Sequence, residues 1–142
     1  MFRIFPLMLI PVVIYALVAS GYGVFGHHTM QDFVNAPLHT FTMFSGDRWT
    51  ITASDLLILV ALGMLFIEVI KATRTTRREL LNHGLSALVF VAALILFITT
   101  RGFSTSVFFF ITTMAAIDVI GGYTISIVAA EHDLGMGKAG TD

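Results

Sequence analysis

Asp118 lies almost at the centre of FFFITTMAAIDVIGGYTISIVAA, residues 108–130, a stretch otherwise apolar enough to sit in lipid. A carboxylate at mid-bilayer costs about 2.5–3.5 kcal/mol on insertion scales, so it normally faces protein or water. Two roles follow. As a protonatable group Asp118 would serve a proton-coupled carrier or small channel. As a hydrogen-bonded group it would pin one helix to another. Stepping by three and four along a helix gives Ala115, Gly121, Gly122 and Ala129 beside it, small residues that let another backbone approach closely. Asp118 is therefore expected in a helix–helix contact. At 1.5 Å per residue it stands about 18 Å from the inner end of its stretch. Tyr15, in the first apolar run, falls at similar depth, so a Tyr15–Asp118 hydrogen bond is available if the two helices touch.

Glu68 and Lys71 are spaced as a favourable i, i+3 helical pair, and the Lys71 stem is long enough to reach the inner headgroups. His83, just inside the next apolar run, falls at comparable depth and forms a small polar cluster with Asn82 and Ser86. Such a cluster is either a proton relay at the cytoplasmic mouth or a satisfied interfacial network, and the network is the expectation. Glu68 and Asp118 are expected to differ in depth by about 10 Å or more, too far for a shared dyad.

Other chemistries find no support. His27 and His28, with Asp32 and His39, carry the side chains that zinc or copper takes, but their spacing matches no metal site. The absence of cysteine rules out disulfides, thiolate metal sites and thiol catalysis. His83 is the only histidine clearly inside an apolar run, so a haem held by two helix histidines has no second ligand. There is no phosphate-binding glycine loop, HExxH motif or nucleophile elbow. VIGGYT lacks the preceding strand and the spacing of a dinucleotide fingerprint. No second carboxylate stands level with Asp118, as an intramembrane aspartyl protease would need. Neither a cofactor nor an enzymatic activity is expected.

The elements that must position these residues are membrane helices. Of the 142 residues 56% are hydrophobic and only 12% charged, about half the charge of a soluble domain. A net charge of −1 offers nucleic acid no basic surface. Four apolar runs, near residues 4–25, 54–72, 80–100 and 106–130, approach the roughly 20 helical residues that cross a bilayer core. They are continuously apolar, which selects helices over a barrel. The first run, with Arg3 and small residues at Val18-Ala19-Ser20, has features of a signal peptide; we read it as a retained span that Pro6 and Pro11 bend. With the N-terminus inside, Arg3, Lys71, Arg74, Arg77, Arg78 and Lys138 are inner and only Arg48 and Arg101 outer, a positive-inside bias that puts both termini in the cytoplasm.

The expectation is one four-helix transmembrane domain over residues 1–142, with an outer loop at 26–53 and a loose polar tail at 131–142. Thr29 caps a short helix that presents Met30, Phe33 and Val34 before Pro37 ends it. TFTMFSGDRWTIT then alternates with period two. Pairing across Ser45-Gly46-Asp47 puts Phe41 opposite Ile51, Met43 opposite Trp49 and Thr42 opposite Thr50. The alternative is an irregular interfacial loop with Trp49 as a membrane-surface anchor. Ser54-Asp55 caps the second span. Lys71, Arg74, Arg77 and Arg78 suit anionic headgroups, although their main role is topogenic. The functional expectation is a multi-pass protein of a plasma membrane of the bacterial inner type. It acts by helix packing on lipid and on other subunits, as an accessory or assembly subunit or a homo-oligomer. The alternative is a proton-coupled carrier or channel using Asp118 with Glu68 and His83.

Overall fold

The computed structural model describes residues 5–21, 26, 28–73 and 77–138, without the side chains of 77–80, 126 and 129–138. In chain order the elements are α1 (Leu9–Gly21), α2 (Met30–Val34), β1 (Pro37–Thr42), β2 (Arg48–Thr52), α3 (Ala53–Ala72), α4 (Arg77–Thr99) and α5 (Ser106–Lys138). Three helical segments are long and apolar enough to cross a membrane, Ala53–Ala72, Leu81–Thr99 and Ser106–Ile125. They correspond to the second, third and fourth expected spans. Of the expected first span the description covers α1, 13 residues or about 20 Å of helix; residues 1–4 and 22–25 lie outside it.

Neither proline falls where it would bend α1. The Pro6 carbonyl accepts the Leu9 N–H at 3.1 Å, ahead of the helix. Pro11 is the third helical residue, inside the first turn, where backbone N–H groups have no helical acceptor anyway. At the other end of the chain, α5 runs on to Lys138. The segment expected to be a loose tail from 131 is thus helical over most of its length, and only 139–142 lie outside the description.

The connection between α1 and α3 carries both of the elements expected there. Thr29 caps α2, accepting the Asp32 N–H at 3.1 Å, and Met30 and Val34 are buried. β1 and β2 form an antiparallel hairpin, but two residues out of the expected register. Phe41 faces Trp49, Thr42 faces Arg48, and Thr40 faces Thr50 with the hydroxyls 2.9 Å apart. The cause is Gly46, at φ +90°. A three-residue hairpin loop puts its left-handed residue third, so the loop is Phe44-Ser45-Gly46, closed by Met43 N–H to Asp47 O at 2.8 Å. A shift of two keeps every side chain on its own face.

β2 runs straight into α3. Thr52, and not Ser54-Asp55, is the N-cap: its Oγ1 accepts the Asp55 N–H while Asp55 Oδ2 accepts the Thr52 N–H at 2.8 Å. This reciprocal box satisfies two donors that the helix start leaves without partners.

α5 is the central helix, packing along both α3 and α4, with α1 touching all three more lightly. Tyr15, Phe108, Ile111, Ala61, Ala93 and Ala115 fill the core between them. Threonines in the apolar helices satisfy themselves. Thr99, Thr112, Thr113 and Thr124 each donate to the carbonyl four residues back at 2.7–2.9 Å. In lipid this removes the need for water.

Candidate functional site

Buried polar groups gather at two levels of the bundle. The first joins α1 to the connection between α4 and α5. Tyr15 Oη donates to the Gly102 carbonyl at 2.8 Å and shares a hydrogen bond with Thr105 Oγ1. Thr105 Oγ1 also accepts the Phe108 N–H at 3.3 Å. One ordering of protons satisfies all three, with Phe108 N–H to Thr105, Thr105 O–H to Tyr15 and Tyr15 O–H to Gly102. The Phe103 and Phe108 rings stand 5.4 and 4.6 Å from the Tyr15 ring. Tyr15 is therefore a pin, but its partners are Gly102 and Thr105 and not Asp118. Similar depth along two helices did not bring those two side chains together.

The second level is the candidate site. Glu68, Asn82, His83, Ser86 and Asp118, from α3, α4 and α5, are each only 1% exposed. Lys71 Nζ donates to Glu68 Oε2 at 2.7 Å and to the Phe5 carbonyl at 3.0 Å. Lys71 thus ties α3 to the segment before α1. Its side chain is 18% exposed and that of Glu68 is fully buried. Asn82 Nδ2 donates to the other Glu68 oxygen, Oε1, at 2.9 Å. Ser86 follows Asn82 by four residues on the same face of α4 and faces the Asp118 carboxyl, with the charges of Glu68 and Lys71 near enough to act on it.

Lys71, Glu68, Asn82, Ser86 and Asp118 thus form a ladder from α3 through α4 to α5. Glu68 and Asp118 share no hydrogen bond among the described residues, although the Glu68 charge is near enough to act on Asp118. Hydrogen bonding is uneven along the ladder. Glu68 is satisfied from both sides, whereas Asn82 Oδ1, Ser86 Oγ and Asp118 Oδ2 complete no hydrogen bond among the described residues.

His83 packs beside the ladder. A Cβ added to Gly122 would come 2.5 Å from His83 Nδ1 and 2.6 Å from Cε1, so this glycine is what lets the imidazole lie against α5. The Tyr123 ring is 5.6 Å from that of His83. Of the other small residues expected beside Asp118, Ala115 is 1% exposed. Gly121 has nothing within 4 Å of its missing side chain, and the Ala129 side chain lies outside the description. Arg74 and the side chains of Arg77 and Arg78 also lie outside it, while Trp49 is exposed on β2.

Among the described residues no group of three His, Asp or Glu is placed to hold a metal ion, and His27 is not among them. The described cavities are elsewhere and mostly apolar. The first, of about 260 Å³, lies between α1, α2 and α3 and includes Ile14, Met30, Val34 and Leu57 in its lining. Another lies between α1 and α4. None is lined by Glu68, His83 or Asp118.

Fold and site together define a small helical membrane protein with a polar ladder buried between three apolar helices. Compared with protein-family models, with curated proteins and with solved structures, the chain matches none.

Proposed function

We propose that this protein acts by lateral packing, as an accessory or assembly subunit of a larger membrane complex or as a homo-oligomer. It crosses a plasma membrane of the bacterial inner type four times, with both termini in the cytoplasm. The observation that carries this reading is the outward face of α3. Only 17% of that span is buried within the chain, against 33% for the α5 span. Gly63 sits on this face with nothing within 4 Å of its missing side chain, among exposed Leu59, Leu62, Phe66 and Ile67. A glycine notch between large side chains is what a neighbouring membrane helix uses to approach. The test is the mass of the particle extracted in mild detergent, with its co-purifying chains. A multiple of 15.5 kDa, or a stable partner, is expected. Gly63→Leu should dissociate that particle without unfolding the chain. A lone monomer in every mild detergent would remove the proposal.

A second reading, a proton-coupled carrier or channel, is favoured by one observation: Glu68, His83 and Asp118 occupy one buried cluster. It requires that Asp118→Asn abolish pH-driven flux in reconstituted vesicles while the fold survives. Wild-type vesicles that pass no protons would dismiss it.

A further inference from the structure

The cleft between α1, α2 and α3 is built from apolar side chains. Every described residue that lines it is apolar, and its volume is about 260 Å³. A water held in such a space needs about two to four polar partners, so water does not fill it. Left empty, its walls would forfeit their dispersion contacts on one side. α2 restricts the direction from which it can be filled. Met30 and Val34, 3% and 2% exposed, line the cleft with the partly buried Phe33, while Gln31 and Asp32 on the opposite side of α2 are exposed. α2 is thus an amphipathic cover, its polar side turned to water and its apolar side to the cleft.

Of the exposed residues in the lining, Leu38 belongs to β1, and Ile14, Leu56 and Val60 belong to the apolar helices α1 and α3. Leu56 and Val60 stand in the first turns of a segment long and apolar enough to cross a membrane. The same helix goes on through exposed Leu59, Leu62, Phe66 and Ile67. The mouth is therefore continuous with the surface that α3 gives to lipid. We propose that the cleft holds one acyl chain of a membrane phospholipid, drawn from the leaflet in which α3 begins. Depth and size agree with that occupant. From Ala53 to Val60 the cleft follows α3 for about 10 Å, within a leaflet whose hydrocarbon is about 15 Å thick. A dry cavity of about 150 Å³ takes benzene, so by proportion this one takes about ten chain carbons. That is the upper part of a phospholipid chain, and too little room for a fused-ring sterol. A second copy of this chain would have to be recruited to the cleft, whereas acyl chains already surround α3. The inference rests on α3 lying in a membrane, and on neither reading of function.

Photolabelling of the full chain in vesicles of phosphatidylethanolamine and phosphatidylglycerol tests this. The probe is a trace of phosphatidylcholine with a diazirine in the upper half of one acyl chain, and adducts are located by peptide mass spectrometry. Lipid around the protein reaches exposed Leu59, Leu62 and Phe66 in any case. A chain in the cleft also labels Met30 and Val34, which are too buried for surrounding lipid to touch, and this additional labelling is expected. Ala53→Phe fills the cleft from α3. It should remove the Met30 and Val34 adducts and leave those on Leu59, Leu62 and Phe66. Circular dichroism establishes that the variant is folded. If it is not, Val60→Phe at the exposed rim takes its place, and if neither folds the wild-type pattern decides alone. The proposal is overturned by wild-type adducts confined to the exposed residues, whether a second copy or nothing fills the cleft. It is equally overturned by Met30 and Val34 adducts that survive in a folded filling variant. Particle mass plays no part in this readout, so its failure is separate from a failure of lateral packing.

Discussion

Replacing Gly122 by alanine should damage this protein, although alanine is the better helix former. The added Cβ would stand 2.5 Å from His83 Nδ1 and 2.6 Å from Cε1, where non-bonded heavy atoms settle at about 3.5–4.0 Å. The α4 and α5 backbones, or the imidazole, must therefore move by about 1 Å. The ring has little room to do so, since His83 is 1% exposed. Overpacking of this kind costs about 1–3 kcal/mol, and the gain from glycine to alanine in a helix returns about 0.5–1 kcal/mol. The expected net loss is about 1–2 kcal/mol, with Gly122→Leu worse. Reversible unfolding in mixed micelles measures it. Gly121→Ala is the internal control, because nothing lies within 4 Å of its missing side chain, and it should be neutral or slightly stabilising. His83→Ala should relieve Gly122→Ala, with a coupling energy of about 0.5–3 kcal/mol in a double-mutant cycle. Wild-type stability in Gly122→Ala, or additive energies with His83→Ala, would refute the proposed contact.

Lys71→Met should be more destabilising than Glu68→Gln, because it leaves a fully buried carboxylate without its cation. Breaking a buried pair this way costs about 3–5 kcal/mol, here toward the lower figure since Lys71 is partly exposed, and the double variant should recover most of the loss in the same assay. Tyr15→Phe should cost about 0.5–1.5 kcal/mol. Its effect should add to that of Asp118→Asn within about 0.5 kcal/mol, and strong coupling between the two would restore the discarded Tyr15–Asp118 pairing. For topology, cysteine at Ser45 should react with an impermeant thiol reagent in intact cells and cysteine at Thr73 should not. The chain has no native cysteine to confuse the result.

Much of the architecture was legible in the residues because it depends on local spacing. Apolar run length marked the three helices able to cross a membrane. Thr29 before Met30, Phe33 and Val34 marked the α2 cap and its buried side. Period-two alternation separated the hairpin faces correctly even though its register was two residues out, since such a shift leaves the faces unchanged. The register was recoverable from Gly46, the loop residue that needs a positive φ. The i, i+3 spacing of Glu68 and Lys71 marked their ion pair, and small residues marked the face of α5 that carries Asp118.

What passes between helices depended on the tertiary structure. Counting residues along an isolated helix gives depth, but not the rotation or slide of its neighbours. Depth therefore suggested Tyr15 as a partner for Asp118. Packing instead turned Tyr15 toward Gly102 and Thr105 and set α4 so that Asn82 meets Glu68 while Ser86 meets Asp118. The same packing chose between adjacent glycines, placing His83 against Gly122 and leaving Gly121 open. The sequence by itself determined which groups are polar within apolar helices and which faces carry them, because periodicity is a property of one helix. Their hydrogen-bond partners were decided only when three helices closed on α5, because a hydrogen bond reaches about 3 Å and a single helical step turns a side chain by more than that.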